Sequence, residues 1–87
     1  MVKVGAKLKN VSKNTLYPGG IYTVGVTIDP ETDNGRGDVP AIGLLNPDGE
    51  LYSWSILAGE VDGVNELTTD QFAKICAGIP ENFKNID

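Results

Sequence analysis

The residues able to do chemistry are few, and their pattern excludes more than it offers. The 87-residue chain has no histidine, which removes the commonest general base and the commonest metal ligand together. A Ser-His-Asp or Cys-His arrangement is therefore impossible. The single cysteine, Cys76, rules out an internal disulfide and a cysteine-rich zinc site. It falls on the apolar side of a helical pattern, where burial rather than nucleophilicity is expected. A carboxylate pair could in principle do acid/base work. Each of the twelve acids, however, falls in a loop, a turn or a helix start, where solvated charge is the expectation. The chain reads as a non-enzyme.

Three short motifs remain. Asp29, Glu31 and Asp33 alternate in the manner of a calcium loop, whose spaced oxygens converge on a hard cation. The sixth position of that loop is Asn34 rather than glycine, and the twelfth is Pro40 rather than a bidentate acid. A solvated acidic loop is expected, with no metal or cofactor. Arg36-Gly37-Asp38 matches the adhesion tripeptide read by integrins, but three residues specify little. Gly35 and Gly37 lack the Gly-Lys-Ser/Thr ending of a phosphate loop.

The charge distribution is more informative. Net charge is −5, yet residues 1–28 carry Lys3, Lys7, Lys9 and Lys13 with no acid, while residues 29–87 set three bases against all twelve acids. Such asymmetry orients an approaching partner; it also serves solubility and guards an edge strand with lysines. The basic segment with Tyr17 or Tyr22 has the ingredients of a nucleic-acid surface. A single arginine and the overall acidity oppose that use, since phosphate neutralisation drives such binding. No apolar run approaches the ~20 residues of a spanning helix, and no signal peptide precedes the first strand. A cytoplasmic protein with no membrane partner is expected.

These residues must be positioned by a small, mostly β domain. One domain is all that 87 residues support, with a core near the lower limit of independent folding. Val2, Val4, Ala6 and Leu8 alternate with Lys3, Gly5, Lys7 and Lys9, predicting a half-buried first strand. After a polar excursion ending in Tyr17-Pro18-Gly19-Gly20, residues 21–28 place Tyr22, Val24, Val26 and Ile28 on one face. Residues 41–45 and 51–56 flank Asn46-Pro47-Asp48-Gly49, a turn in which proline presets φ and Gly49 closes a bulged hairpin. Tyr52, Trp54 and Ile56 share a face by alternation and, with Tyr22, Val24 and Val26, are enough to fill a small core; the other reading leaves one of these faces exposed as a partner patch anchored by Trp54. A last brief strand is expected among Val61, Val64 and Leu67. Thr68 and Gln71 form a capping box, and Leu67 and Phe72 a hydrophobic staple. Together they predict a helix over residues 69–77, with Phe72, Ile75, Cys76 and Ile79 on its apolar face and a stop at Gly78 and Pro80. Residues 80–87 read as a tail, pinned by Phe83.

In this order the chain resembles small Src-homology-3-like barrels of the kind encoded by bacteriophages. The resemblance rests on Val4-Gly5-Ala6-Lys7-Leu8, the long polar loop, Gly20 to Val24, and the hairpin Ile42 to Trp54, covering roughly residues 2–67. It implies a five-stranded barrel with one C-terminal capping helix, forming a single domain over residues 1–79. It carries the fold more than any activity. Tyr17, Tyr22, Tyr52 and Trp54 are the candidates, by residue type, for an aromatic binding surface. The expected function is non-catalytic binding of a host protein, with Tyr52 and Trp54 as anchors and Asp29, Glu31, Asp33 and Asp38 steering. The alternatives are a self-associating virion or assembly component and, third, a weak nucleic-acid binder.

Overall fold

The computed structural model describes residues 2–13, 17–29 and 39–86. Its strands are β1 (Lys7–Asn10), β2 (Ile21–Asp29), β3 (Val39–Leu45), β4 (Leu51–Leu57) and β5 (Phe83–Asn85), with one helix, α1 (Thr69–Ile75), and a 3₁₀ turn at Pro80–Asn82. All five strands pair antiparallel in one sheet of order β4-β3-β2-β1-β5. The mostly β class and the single short helix are as expected. The sheet is left open, with β4 and β5 as its edges.

The central hairpin forms as the sequence dictates. Gly49 N–H donates to the Asn46 carbonyl (2.9 Å), with Gly49 at φ +82°. The Asn46 side chain tightens the turn by accepting from the backbone N–H groups of Asp48 and Glu50. The capping box is also present: Thr68 Oγ1 accepts from Gln71 N–H, and Gln71 Oε1 accepts from Thr68 N–H.

Three expectations are corrected. The first strand does not run from Val2 to Lys9. Gly5 stands at φ +97°, a conformation only glycine adopts without strain, and the chain turns there. Ahead of the turn, Val4 N–H donates to the Asn65 carbonyl and Val2 accepts from Leu67 N–H. Beyond it, the chain pairs with β2. One segment thus serves two partners that a straight strand could not reach. Second, the expected strand within residues 57–67 is replaced by turns, and Glu66 alone bridges, to Lys3. The fifth strand comes instead from the segment read as a tail: β5 pairs Phe83 with Asn10 and Lys84 with Lys9. Phe83, the residue expected to pin that segment, is buried.

Third, α1 ends at Ile75 rather than 77. Ala77, at φ +55°, takes the left-handed position. Its N–H reaches the Lys74 carbonyl while Gly78 N–H reaches that of Ala73, the Schellman pattern. Because the helix stops there, Ile79 leaves the apolar face and is exposed, while Ile75 and Cys76 are fully buried.

The core joins Leu8, Tyr22, Val24, Ile42, Leu44, Ile56 and Phe83 from the sheet to Leu67, Ile75 and Cys76. Val26 shares the face of Tyr22 and Val24 by alternation but is 54% exposed, although its partner across the ladder, Ile42, is fully buried. In β3, Ala41, Ile42, Gly43 and Leu44 are all buried. At Gly43 a Cβ would lie 2.4 Å from the Ser53 carbonyl oxygen and 2.6 Å from Leu51 Cδ1. Gly43→Ala should therefore lower stability by about 1–3 kcal/mol or more, since backbone must move. At Gly25 the nearest obstacle is a flexible Leu45 methyl at 3.2 Å. Denaturant melts should show Gly25→Ala nearer to wild type; equal losses would refute this account of β3–β4 packing.

Candidate partner-binding site

Four aromatic rings converge where the two free edges of the sheet face one another. Tyr22 of β2 stands at the centre, only 2% exposed. Phe83 of β5 meets it edge to face at 5.1 Å, Tyr52 of β4 at 5.7 Å and Tyr17 at 6.5 Å. Tyr52 and Phe83 close the ring at 5.7 Å. Edge-to-face geometry aligns positive ring edges with negative faces and contributes about 0.5–1.5 kcal/mol per pair beyond burial. Edges β4 and β5 are thus joined through side chains. Tyr52 remains 42% exposed, and Tyr17 is half-buried.

Tyr17 is held there against its own backbone preference. Its φ is +92°, a region disfavoured for any residue with a Cβ and found where surroundings over-determine the conformation. The surroundings are identifiable. Asn10, 1% exposed, donates from Nδ2 to the Tyr17 carbonyl at 3.1 Å. Its backbone pairs with both Gly19 and Gly20, and its Oδ1 accepts from Ser12 N–H. At the other end, the Tyr17 hydroxyl donates to the Asp48 carboxylate. That bond, helped by burial and the negative charge of Asp48 and Glu50, raises the phenol above its ordinary value of 10.0. The hairpin turn therefore brings Asp48, with Glu50 close by, to the ring cluster.

The residues singled out from the sequence are distributed unevenly. Tyr17, Tyr22 and Tyr52 come together; Trp54 does not join them. Two register irregularities in β3–β4 pair Trp54 with Gly43 and Ser53 with Leu44. Each irregularity resets the alternation, so Trp54 lies on the Gly43 face and Ile56 on the core face. The expected common face of Tyr52, Trp54 and Ile56 is thereby lost. Trp54 is half-buried, with the Lys74 ammonium 4.8 Å from its ring centroid. Ser53 Oγ donates to the Lys74 carbonyl, tying β4 to α1. Asp29 ends β2 opposite Val39, roughly 23 Å along the strand from Tyr22 at ~3.3 Å per residue. Glu31, Asp33 and Asp38, with the Arg36-Gly37-Asp38 motif, lie outside the described residues.

Asn10 and Phe83 were not anticipated as part of the site. Phe83 carried a sequence signal, as the sole aromatic of its segment. Asn10 carried none, because its role depends on a loop returning to β1.

Elsewhere the chemistry is quiet. Among the described residues no cluster of three or more His, Cys, Asp or Glu side chains could hold a metal, and no helix is long and apolar enough to cross a membrane. An apolar pocket of about 110 Å³, lined by Val2, Leu67, Thr68, Thr69 and Phe72, is smaller than the ~300–1,000 Å³ typical of small-molecule sites. Cys76 is fully buried, and burial pushes its thiol from 9.0 up to about 12.

Two consequences are measurable. Native Cys76 should alkylate at least ~10³-fold more slowly than in the denatured chain, because attack must await opening against a stability of at least ~5 kcal/mol. Both Cys76 and Tyr17 hold protons more tightly folded than unfolded. Their stabilisation is complete below pH 9, the unfolded cysteine value, and is lost as pH rises. Between pH 9 and about 12 the cysteine slope should approach ~1.4 kcal/mol per pH unit. Denaturation midpoints flat across that range would contradict the placement of Cys76.

No protein-family model, curated protein or solved structure matches the chain.

Proposed function

We propose that the chain is a non-catalytic protein-binding module whose contact surface is centred on Tyr52 and Tyr17. The observation that carries this is two part-exposed rings, Tyr17 and Tyr52, that each pack on the buried Tyr22, itself backed by Phe83. Rigid aromatics with a dry foundation make effective anchors, because little side-chain freedom is lost on binding. The strained Tyr17 backbone supports the same reading, since strain persists where geometry is needed. Asp48 and Glu50 beside the rings favour a partner segment with basic and apolar or proline residues. In this reading the curled sheet is a small Src-homology-3-like barrel whose last gap is closed by side chains. The protein is then a phage-encoded factor acting on a host protein in the host cytoplasm.

The direct test is to immobilise the protein, pass a bacterial lysate over it, and identify a stoichiometric retained protein. Tyr52→Ala should weaken that capture by about 30-fold or more, the loss expected for a ~2 kcal/mol anchor, with an unchanged far-ultraviolet dichroism spectrum. Trp54→Ala, on the Gly43 face, should leave capture intact. The opposite ranking would move the site to Trp54.

The acidic loop contributes by steering. Neutralising Asp29, Glu31, Asp33 and Asp38 together should slow association and flatten its salt dependence, with little change in dissociation. Unchanged association kinetics would remove the loop from the interaction.

A further inference from the structure

The strands that point their rings inward carry a different surface on their other side. Alternation sends Leu8, Asn10, Tyr22 and Phe83 to the inner face and Lys9, Val11, Ile21 and Lys84 to the outer one. Lys9 is directly opposite Ile21 on one neighbour and Lys84 on the other. Ile86 N–H donates to the Lys7 carbonyl, which extends the same row. Val11, Ile21 and Ile86 are 47%, 40% and 47% exposed, half of the six large hydrophobic residues so exposed among the described ones. Residues 2–13, 17–27 and 82–86 contain no acid. The result is a basic, aliphatic sheet face on an otherwise acidic molecule. The Lys9–Lys84 pair sets like charges side by side, an arrangement that works against folding.

We infer that this outer face docks a second copy of the chain, taking the Asp48–Glu50–Tyr52 surface of that copy in a head-to-tail contact. The acids meet the lysines, and the exposed Tyr52 ring meets the aliphatic side chains. A single-stranded nucleic acid fits less well: it stacks on aromatic rings, and β1, β2 and β5 turn none of theirs outward, the one ring on that side of the sheet being Trp54 of β4. Extended polyanions, membranes included, are also opposed by the net charge of −5. Two copies repel by the same net charge, but salt screens that repulsion beyond about 8 Å at physiological ionic strength, leaving the contact pairs to decide. Because the two docking surfaces differ, the contact is heterologous, and each copy keeps one surface free for the next.

The inference rests on the Tyr52 region being an interaction surface, and the experiment separates the two. Sedimentation equilibrium at physiological ionic strength would compare wild type with Lys9→Glu/Lys84→Glu and with Asp48→Lys/Glu50→Lys, each checked for fold by circular dichroism. Wild-type mass should rise with concentration past that of a dimer and fall back at high salt. Each double variant alone should stop associating, since one partner surface is spoiled in every copy. Mixed in equal amounts, they should associate again, because the intact surface of each meets the intact surface of the other and the two charge-reversed surfaces are also of opposite sign. Lys9→Glu/Lys84→Glu should still capture the partner of the Tyr52 site; if it self-associates no less than wild type, the outer face is excluded. A wild type that stays monomeric overturns the inference, as does a mixture that stays monomeric. Lysine-dependent binding of phosphatidylserine vesicles or a single-stranded oligonucleotide by a monomer would overturn it in favour of a polyanion.

Discussion

The structure depends on one interaction above the rest, the packing of three rings around Tyr22. An open antiparallel sheet of five strands leaves two edges without backbone partners, and here those edges come from distant parts of the chain. Tyr52 brings in β4 and Phe83 brings in β5, and both meet the same buried ring at edge-to-face angles. The curvature that encloses Leu8, Val24, Ile42 and Leu44 therefore has a side-chain seam where a closed sheet would have hydrogen bonds. A seam of rings differs from a ladder in one respect that matters: its outer members stay partly in water. Tyr52 is at once a closing element and an exposed surface.

The loop before β2 is shaped around the same seam. Asn10 is the only buried polar or charged residue among the described ones, and its side chain and backbone hold the Tyr17 segment. The Asp48 carboxylate secures the far end of the Tyr17 ring. An acidic turn and a strained tyrosine are thus locked to the aromatic cluster, combining charge and ring on one surface. On the reverse of β1, β2 and β5, the alternate residues build a surface of opposite charge.

Local signals in the sequence were legible wherever the interactions are local. The hairpin at Asn46–Gly49 and the capping box at Thr68 and Gln71 use residues within four positions of each other, so their chemistry can be read directly. The alternation of β2 was legible for the same reason, though alternation alone could not show that Val26 stays in solvent beside the buried Ile42. The first strand misled because an unbroken alternation conceals Gly5, whose left-handed turn is needed only to serve two partners. Residues 80–87 looked like a tail because three residues of strand have no periodicity to detect, and their pairing partner lies over seventy positions away.

For the candidate site, residue types were readable and neighbours were not. Tyr17, Tyr22 and Tyr52 stand out by type, but Trp54 stands out equally and faces elsewhere, because register irregularities in β4 shift its side by one residue. By itself the sequence determined the mostly β class, the turn, the helix start, the burial of Cys76 and the poverty of catalytic groups, all consequences of composition and short-range geometry. Only the tertiary structure decided which strand forms the second edge, which rings meet, and which acids lie beside them. Those outcomes depend on long-range register, where a shift of one residue exchanges the two faces of a strand.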